Sequence, residues 1–163
     1  MDARALFTSF AWVTAAFGAG CKTSAPPPAF PRPLDESRAL AIIAEGYRDG
    51  GQIAGAGREL HLSSGRTLRV DVSTAGHLYG VAYVTKADAD ELDASRDLPP
   101  PMGPDDLPVV QGSGADSDAV VLVLLAARYV VRAPDGVLAS DDERRLRRDV
   151  RDFLVQARAH RLP

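Results

Sequence analysis

The chain has 163 residues, enough for one ordinary domain and short for two. Its 19 basic and 22 acidic side chains leave a formal charge of −3, which excludes a generally basic nucleic-acid binder. A single cysteine, Cys21, excludes a disulfide framework and zinc sites built from cysteine clusters, and only three histidines are available to a metal centre.

Arg4 precedes an apolar run from Ala5 to Phe17. Thirteen residues of helix span roughly 20 Å, against roughly 30 Å of bilayer hydrocarbon, so a signal-peptide core fits better than a stable span. The small residues Gly18, Ala19 and Gly20 follow, and then Cys21.

The segment Gly18-Ala19-Gly20-Cys21 resembles the cleavage motif of bacterial lipoproteins. Ala19 and Gly20 match the small residues of that motif, while Gly18 stands where an aliphatic side chain is usual. The resemblance implies cleavage before Cys21, acylation of its thiol, and a lipid-anchored protein of the cell envelope, facing the periplasm or associated with the outer membrane. Lys22 stands where some lipoprotein systems place an inner-membrane retention aspartate. Two or three acyl chains then supply the membrane affinity, at about 0.8 kcal/mol per buried methylene.

From Cys21 to Pro33 lie five of the chain's twelve prolines. Proline fixes an extended backbone without donors, so this stretch reads as a semi-rigid tether. The expected organisation is a signal segment over 1–20, a tether over 21–33 and one domain over 34–163.

The domain opens with a predicted helix capped by Asp35, with Leu40, Ile43, Ala44 and Tyr47 on one stripe and Gly50-Gly51 at its end. Glu59–Leu62 and Thr67–Val72 alternate apolar residues on either side of Ser63-Ser64-Gly65-Arg66, which predicts a hairpin with Leu60, Leu62, Leu68, Val70 and Val72 on one face. After a turn at Ser73–Gly76, the run His77–Thr85 is apolar on both faces and suits an interior strand. A short helical turn is expected over Asp88–Ser95 and a proline-rich loop over Leu98–Pro108. Val120–Val131 reads as one long buried strand, followed by a turn at Pro134-Asp135-Gly136. The final helix has a capping box in Ser140 and Glu143 and an apolar stripe of Leu146, Val150, Phe153, Leu154 and Ala157. This order predicts a small α+β domain with an antiparallel sheet of about four to five strands.

Several segments invite chemistry. The acidic run Asp88, Asp90, Glu91, Asp93 fails as a calcium loop, because its sixth position is Asp93 and its twelfth is Pro99. Asp116 and Asp118 offer two carboxylates to a cation, in a turn-rich stretch. His61, Asp71 and His77 lie on or beside the predicted meander, with Ser63 and Ser73 in its turns, the residue types of a hydrolase. Gly50–Gly57 is glycine-rich but follows a helix and precedes a strand, the reverse of a dinucleotide fingerprint. Arg144, Arg145, Arg147, Arg148 and Arg151 are interleaved with Asp141, Asp142, Glu143, Asp149 and Asp152, which predicts a self-neutralised helix face.

The functional expectation is a membrane-tethered lipoprotein whose domain binds or scaffolds an envelope protein or other envelope component without catalysing a reaction. Its lipid contact is acylated Cys21, and no catalytic, metal or cofactor residue is assigned. The alternative is a small secreted or tethered hydrolase using the His, Ser and Asp residues near the meander.

Overall fold

The computed structural model describes residues 32–76, 78–93, 96–99, 103, 106–131 and 141–160. Cys21, the signal segment, His77, the Pro134–Gly136 turn and Ser140 of the expected capping box lie outside them. The domain is α+β, as the sequence implies. A five-stranded sheet runs in the order β2 (Gly55–His61), β3 (Thr67–Ser73), β4 (Tyr79–Val84), β6 (Val120–Leu125), β5 (Val109–Gln111), beside a two-stranded pair of β1 (Arg32–Pro33) and β7 (Val130–Val131).

Helix α1 (Glu36–Asp49) begins where Asp35 accepts the backbone N–H groups of Ser37 and Arg38 at 3.0 and 3.3 Å, which relieves two of the helix's unpaired donors. It buries Ala39, Ile42, Ile43, Gly46 and Tyr47. Helix α3 (Asp141–His160) buries Leu146, Val150, Phe153, Leu154 and Ala157, the stripe read from the sequence. The two helices pack together on one face of the sheet. They touch closely at Gly46, where a Cβ would sit 2.8 Å from a methyl of Val150.

Strands β2 (Gly55–His61) and β3 (Thr67–Ser73) form the expected hairpin, with Leu60 opposite Leu68 and Arg58 opposite Val70. Strand β4 (Tyr79–Val84) is interior, between β3 and β6 (Val120–Leu125). Both strands are buried on each side: Val81, Tyr83, Leu122 and Leu124 face the helices, while Ala82, Val84, Val121 and Val123 face a second core. That double burial explains their unbroken apolar runs.

The sheet departs from the antiparallel expectation at its centre, because β4 and β6 are parallel, with Val81 beside Leu122. The chain returns to β6 through a long crossover carrying α2 (Lys86–Glu91) and the short edge strand β5 (Val109–Gln111), and a crossover of that length permits parallel pairing. The expected strand over Val120–Val131 also divides. It ends at Leu125, turns through a 3-10 segment at Ala126–Arg128, and resumes as β7 (Val130–Val131), which pairs with β1 (Arg32–Pro33). Two residues read as tether thus form a strand of the folded domain. Pro33 is tolerated there because the pair is short and at an edge.

The hairpin does not continue alongside β4. Pairing of β3 with β4 is confined to Val72–Val81 and Ser73–Gly80. Although strict alternation places Leu68, Val70 and Val72 on one face, Leu68 and Val70 enter the second core while Val72 enters the core under the helices. The side-chain direction inverts at Asp71, and beyond it the hairpin curls over the second core.

Candidate functional site

The curled hairpin brings the two sheet edges together. Ser113, just after edge strand β5, donates its N–H to the carbonyl of His61 at the end of edge strand β2 at 2.8 Å. Asp116 completes the clasp. Its carboxylate accepts from the His61 N–H at 3.0 Å and from Arg58 at 2.5 Å, and lies 2.8 Å from the His61 Nδ1. The backbone and ring bonds from His61, followed by the bond from Arg58, hold the Asp116 carboxyl well below the usual carboxylate range.

Asp116 is therefore engaged by His61 and Arg58, and the companion carboxylate, Asp118, accepts from the hydroxyl of its neighbour Ser117. No group of three or more metal-ligating side chains occurs among the described residues.

Of the residues a hydrolase would need, the structure joins His61 to an aspartate absent from the sequence-based grouping. The imidazole itself is 66% exposed. Asp71 lies elsewhere, and the hydroxyl of Ser73 is buried and donates to the carbonyl of Ala56 at 2.6 Å. Ser113 turns its hydroxyl to the carbonyl of His61 at 3.3 Å. Ser63 lines a separate small cleft of about 220 Å³ with Arg96, Asp97 and Leu98. The glycine-rich stretch Gly50–Gly57 leads from α1 into β2, as its sequence context implies.

Because its pKa is depressed by folding, Asp116 contributes stability that is present above the unfolded carboxylate value of about 4 and lost as pH falls through the lower folded value. Asp116→Ala should cost about 1.5 kcal/mol, the low end for a bond to a charged group, since His61 can turn to solvent. Hydrogen exchange at the amides of His61 and Ser113 should quicken about tenfold. Between pH 5 and 2 the parent protein should lose stability more steeply than the variant. Equal acid slopes would show that the clasp carries no charge-linked energy.

Asp71 occupies the point where β3 leaves β4. Its carboxylate accepts the N–H of Tyr83 at 2.7 Å, replacing the missing strand partner, and pairs with Arg69 at 3.0 Å. Arg69 in turn reaches Glu36 at the start of α1. Burial still raises the Asp71 carboxyl, against the lowering effects of Tyr83 and Arg69. A cleft of about 720 Å³ lies between the hairpin residues Glu59 and Gly65–Arg69 and a wall formed by Val84, Asp88, Glu91 and Leu92.

The arginine-rich face of α3 is neutralised only in part by its own helix. Arg144 pairs with Asp141, Arg151 with Asp152, and both Arg145 and Arg148 approach Asp149. Arg147 instead crosses to Asp49 and Glu45 of α1, and Glu143 receives Arg38 from α1. These are largely solvent-exposed pairs, screened by water, that add little to stability.

Among the described residues no helix is long and apolar enough to cross a membrane. Comparison of the chain with protein-family models, curated proteins and solved structures finds no match.

Proposed function

We propose that the chain is a lipid-anchored lipoprotein of a bacterial envelope, acylated at Cys21, whose domain is a non-catalytic binding or scaffolding module. The observation that carries the anchor is the sequence Gly18-Ala19-Gly20-Cys21 directly after a thirteen-residue apolar run. The following residues support it. Five of the chain's twelve prolines lie between Cys21 and Pro33, a composition that suits a semi-rigid tether between an anchor and the domain.

The binding reading is supported by the open cleft beside β3 and by the way the candidate hydrolase groups are spent. Ser73 and Ser113 direct their hydroxyls to backbone carbonyls, and the His61 ring is held by an aspartate that also closes the sheet. The His61–Asp116 pair is the one observation favouring the hydrolase reading, since an aspartate that orients an imidazole is half of a nucleophile-activating device.

Cys21→Ser should abolish incorporation of labelled palmitate and move the protein from the membrane to the soluble fraction, because the acyl chains supply the membrane affinity. Mass spectrometry of the membrane-extracted parent protein should find an acylated terminus at Cys21. An intact, unmodified Met1 terminus would overturn the lipoprotein reading.

A further inference from the structure

We propose that the outward edge of β3 at Thr67–Arg69 binds an extended, Lys- or Arg-bearing peptide segment as an added strand, within the cleft between the hairpin and α2. This deepens the binding-module reading and rests on it, but does not depend on lipidation of Cys21.

The backbone geometry comes first. Leu62 donates its N–H to the carbonyl of Arg66, so Leu62 and Arg66 form a hydrogen-bonded pair of the antiparallel ladder. Such pairs alternate, which makes Leu60–Leu68 and Arg58–Val70 the next bonded pairs. The N–H and C=O groups of Thr67 and Arg69 therefore point away from β2. On that side β3 has left β4, whose pairing stops at Val72, so no strand among the described residues meets them. A free strand edge beside a cleft is the arrangement used for recognition by strand addition, where main-chain bonds supply affinity and flanking side chains supply selectivity.

Exposed edges are ordinarily blunted by charged side chains that stand over them. Here both candidates are engaged by other groups, Arg66 by reaching across to α2. Arg66 donates to the carbonyl of Glu91 at 3.0 Å and lies 3.7 Å from Asp97, while Arg69 is held by Asp71 and Glu36. The three residues Thr67–Arg69 offer about 10 Å of edge at the rise of a strand.

Charge then selects the occupant. The two arginines lining the cleft are paired with acids, whereas the carboxylates of Glu59 and Glu91 have no ion-pair partner among the described residues. The cleft therefore presents uncompensated negative charge around a row of backbone donors and acceptors, with Val84 and Leu92 as apolar lining. A segment alternating basic and apolar residues satisfies all three features, because alternate side chains of a strand point to opposite sides.

The test uses the full chain purified in detergent and three fluorescent peptides: an acetylated alternating Lys-Val octamer, its Glu-Val counterpart, and the Lys-Val octamer with alternate backbone nitrogens methylated. The Lys-Val peptide should bind, the Glu-Val peptide should bind about tenfold or more weakly, and methylation should remove binding by deleting the strand donors. Binding should slow hydrogen exchange across residues 66–70. The double variant Glu59→Gln/Glu91→Gln should weaken the Lys-Val peptide several-fold without disturbing the fold. Thr67→Pro removes one outward donor and should weaken it further. The proposal is overturned if the intact Lys-Val and Glu-Val peptides bind alike, if methylation has no effect, or if no binding occurs. Recovery of cleaved peptide would instead overturn the non-catalytic reading on which the proposal rests, and that outcome is visible separately by mass spectrometry.

Discussion

Phe153→Ala should destabilise the domain by about 3–5 kcal/mol, a large part of the roughly 5–15 kcal/mol that holds a domain of this kind. Phe153 is 1% exposed and stands where α3 meets both α1 and the sheet. Its ring meets that of Tyr79 edge-to-face, with centroids 6.4 Å apart and an interplanar angle of 81°. Truncation removes the transfer energy of the ring and this aromatic contact. It also leaves a cavity that a site bounded by a helix pair and a sheet can close only in part. Val155, two residues along the same helix, is 53% exposed and provides the control, since Val155→Ala should change stability by less than about 0.5 kcal/mol. Denaturant unfolding of both variants measures the difference. Comparable losses would mean that α3 turns a different face inward.

The helix stripe was legible because a 3.6-residue period of large apolar side chains has one consistent solution: Leu146, Val150, Phe153, Leu154 and Ala157 are all buried. The hairpin register was legible for a similar reason, in that Ser63–Arg66 supplies the turn and both flanks alternate. What the residues do not encode locally is where an apolar run changes its role. Val120–Val131 is aliphatic throughout, so composition alone cannot mark the break at Ala126–Arg128 or the transfer of Val130 to a second sheet. The partner of that transfer was hidden too, because Arg32 and Pro33 sit in a proline-rich stretch whose composition argues against any strand. Parallel pairing of β4 with β6 is likewise a non-local choice, made by a crossover of which β5 is only three residues long.

The candidate site was less legible than the fold. His61 and Asp116 could each be singled out for their chemistry, yet they are far apart in sequence and meet only because the sheet curls until its edges touch. No sequence period announces that curl. The cleft beside β3 follows from the same event, and its lining residues, Glu59, Arg66 and Glu91 among them, look like ordinary surface charges when read in order. Asp71, grouped by its chemistry with catalytic residue types, carries a structural signal instead. An aspartate at an alternating position between Val70 and Val72 interrupts a run that suits a strand, and its carboxylate takes over the bond a neighbouring strand would have made to Tyr83.

Gly57→Ala should be among the most costly single-methyl additions in the chain, because Gly57 faces this interruption across the ladder. A Cβ at Gly57 would overlap the carbonyl oxygen of Val70 and lie 2.7 Å from that of Asp71. Both atoms belong to the backbone, so no rotamer change relieves the clash, and β2 must separate from β3 at the residue where the hairpin changes face. The expected loss is about 3 kcal/mol or more, at or above the upper end for overpacking. Gly65→Asn provides the contrast. Gly65 lies in the left-handed region at φ 84°, but nothing stands within 4 Å of its added Cβ, and Asn is among the residues that best tolerate that conformation, so a cost near 1 kcal/mol is expected. The two variants separate a clash from a conformational cost, and Gly57→Ala has a second readout. If its methyl pushes β2 and β3 apart, Thr67 and Arg69 lose their alignment beside the cleft, and binding of the Lys-Val peptide should weaken even at temperatures where the variant is fully folded. A Gly57→Ala protein with parent stability would show that the strands do not approach closely at Asp71, and the curl that creates both the clasp and the cleft would then require another cause.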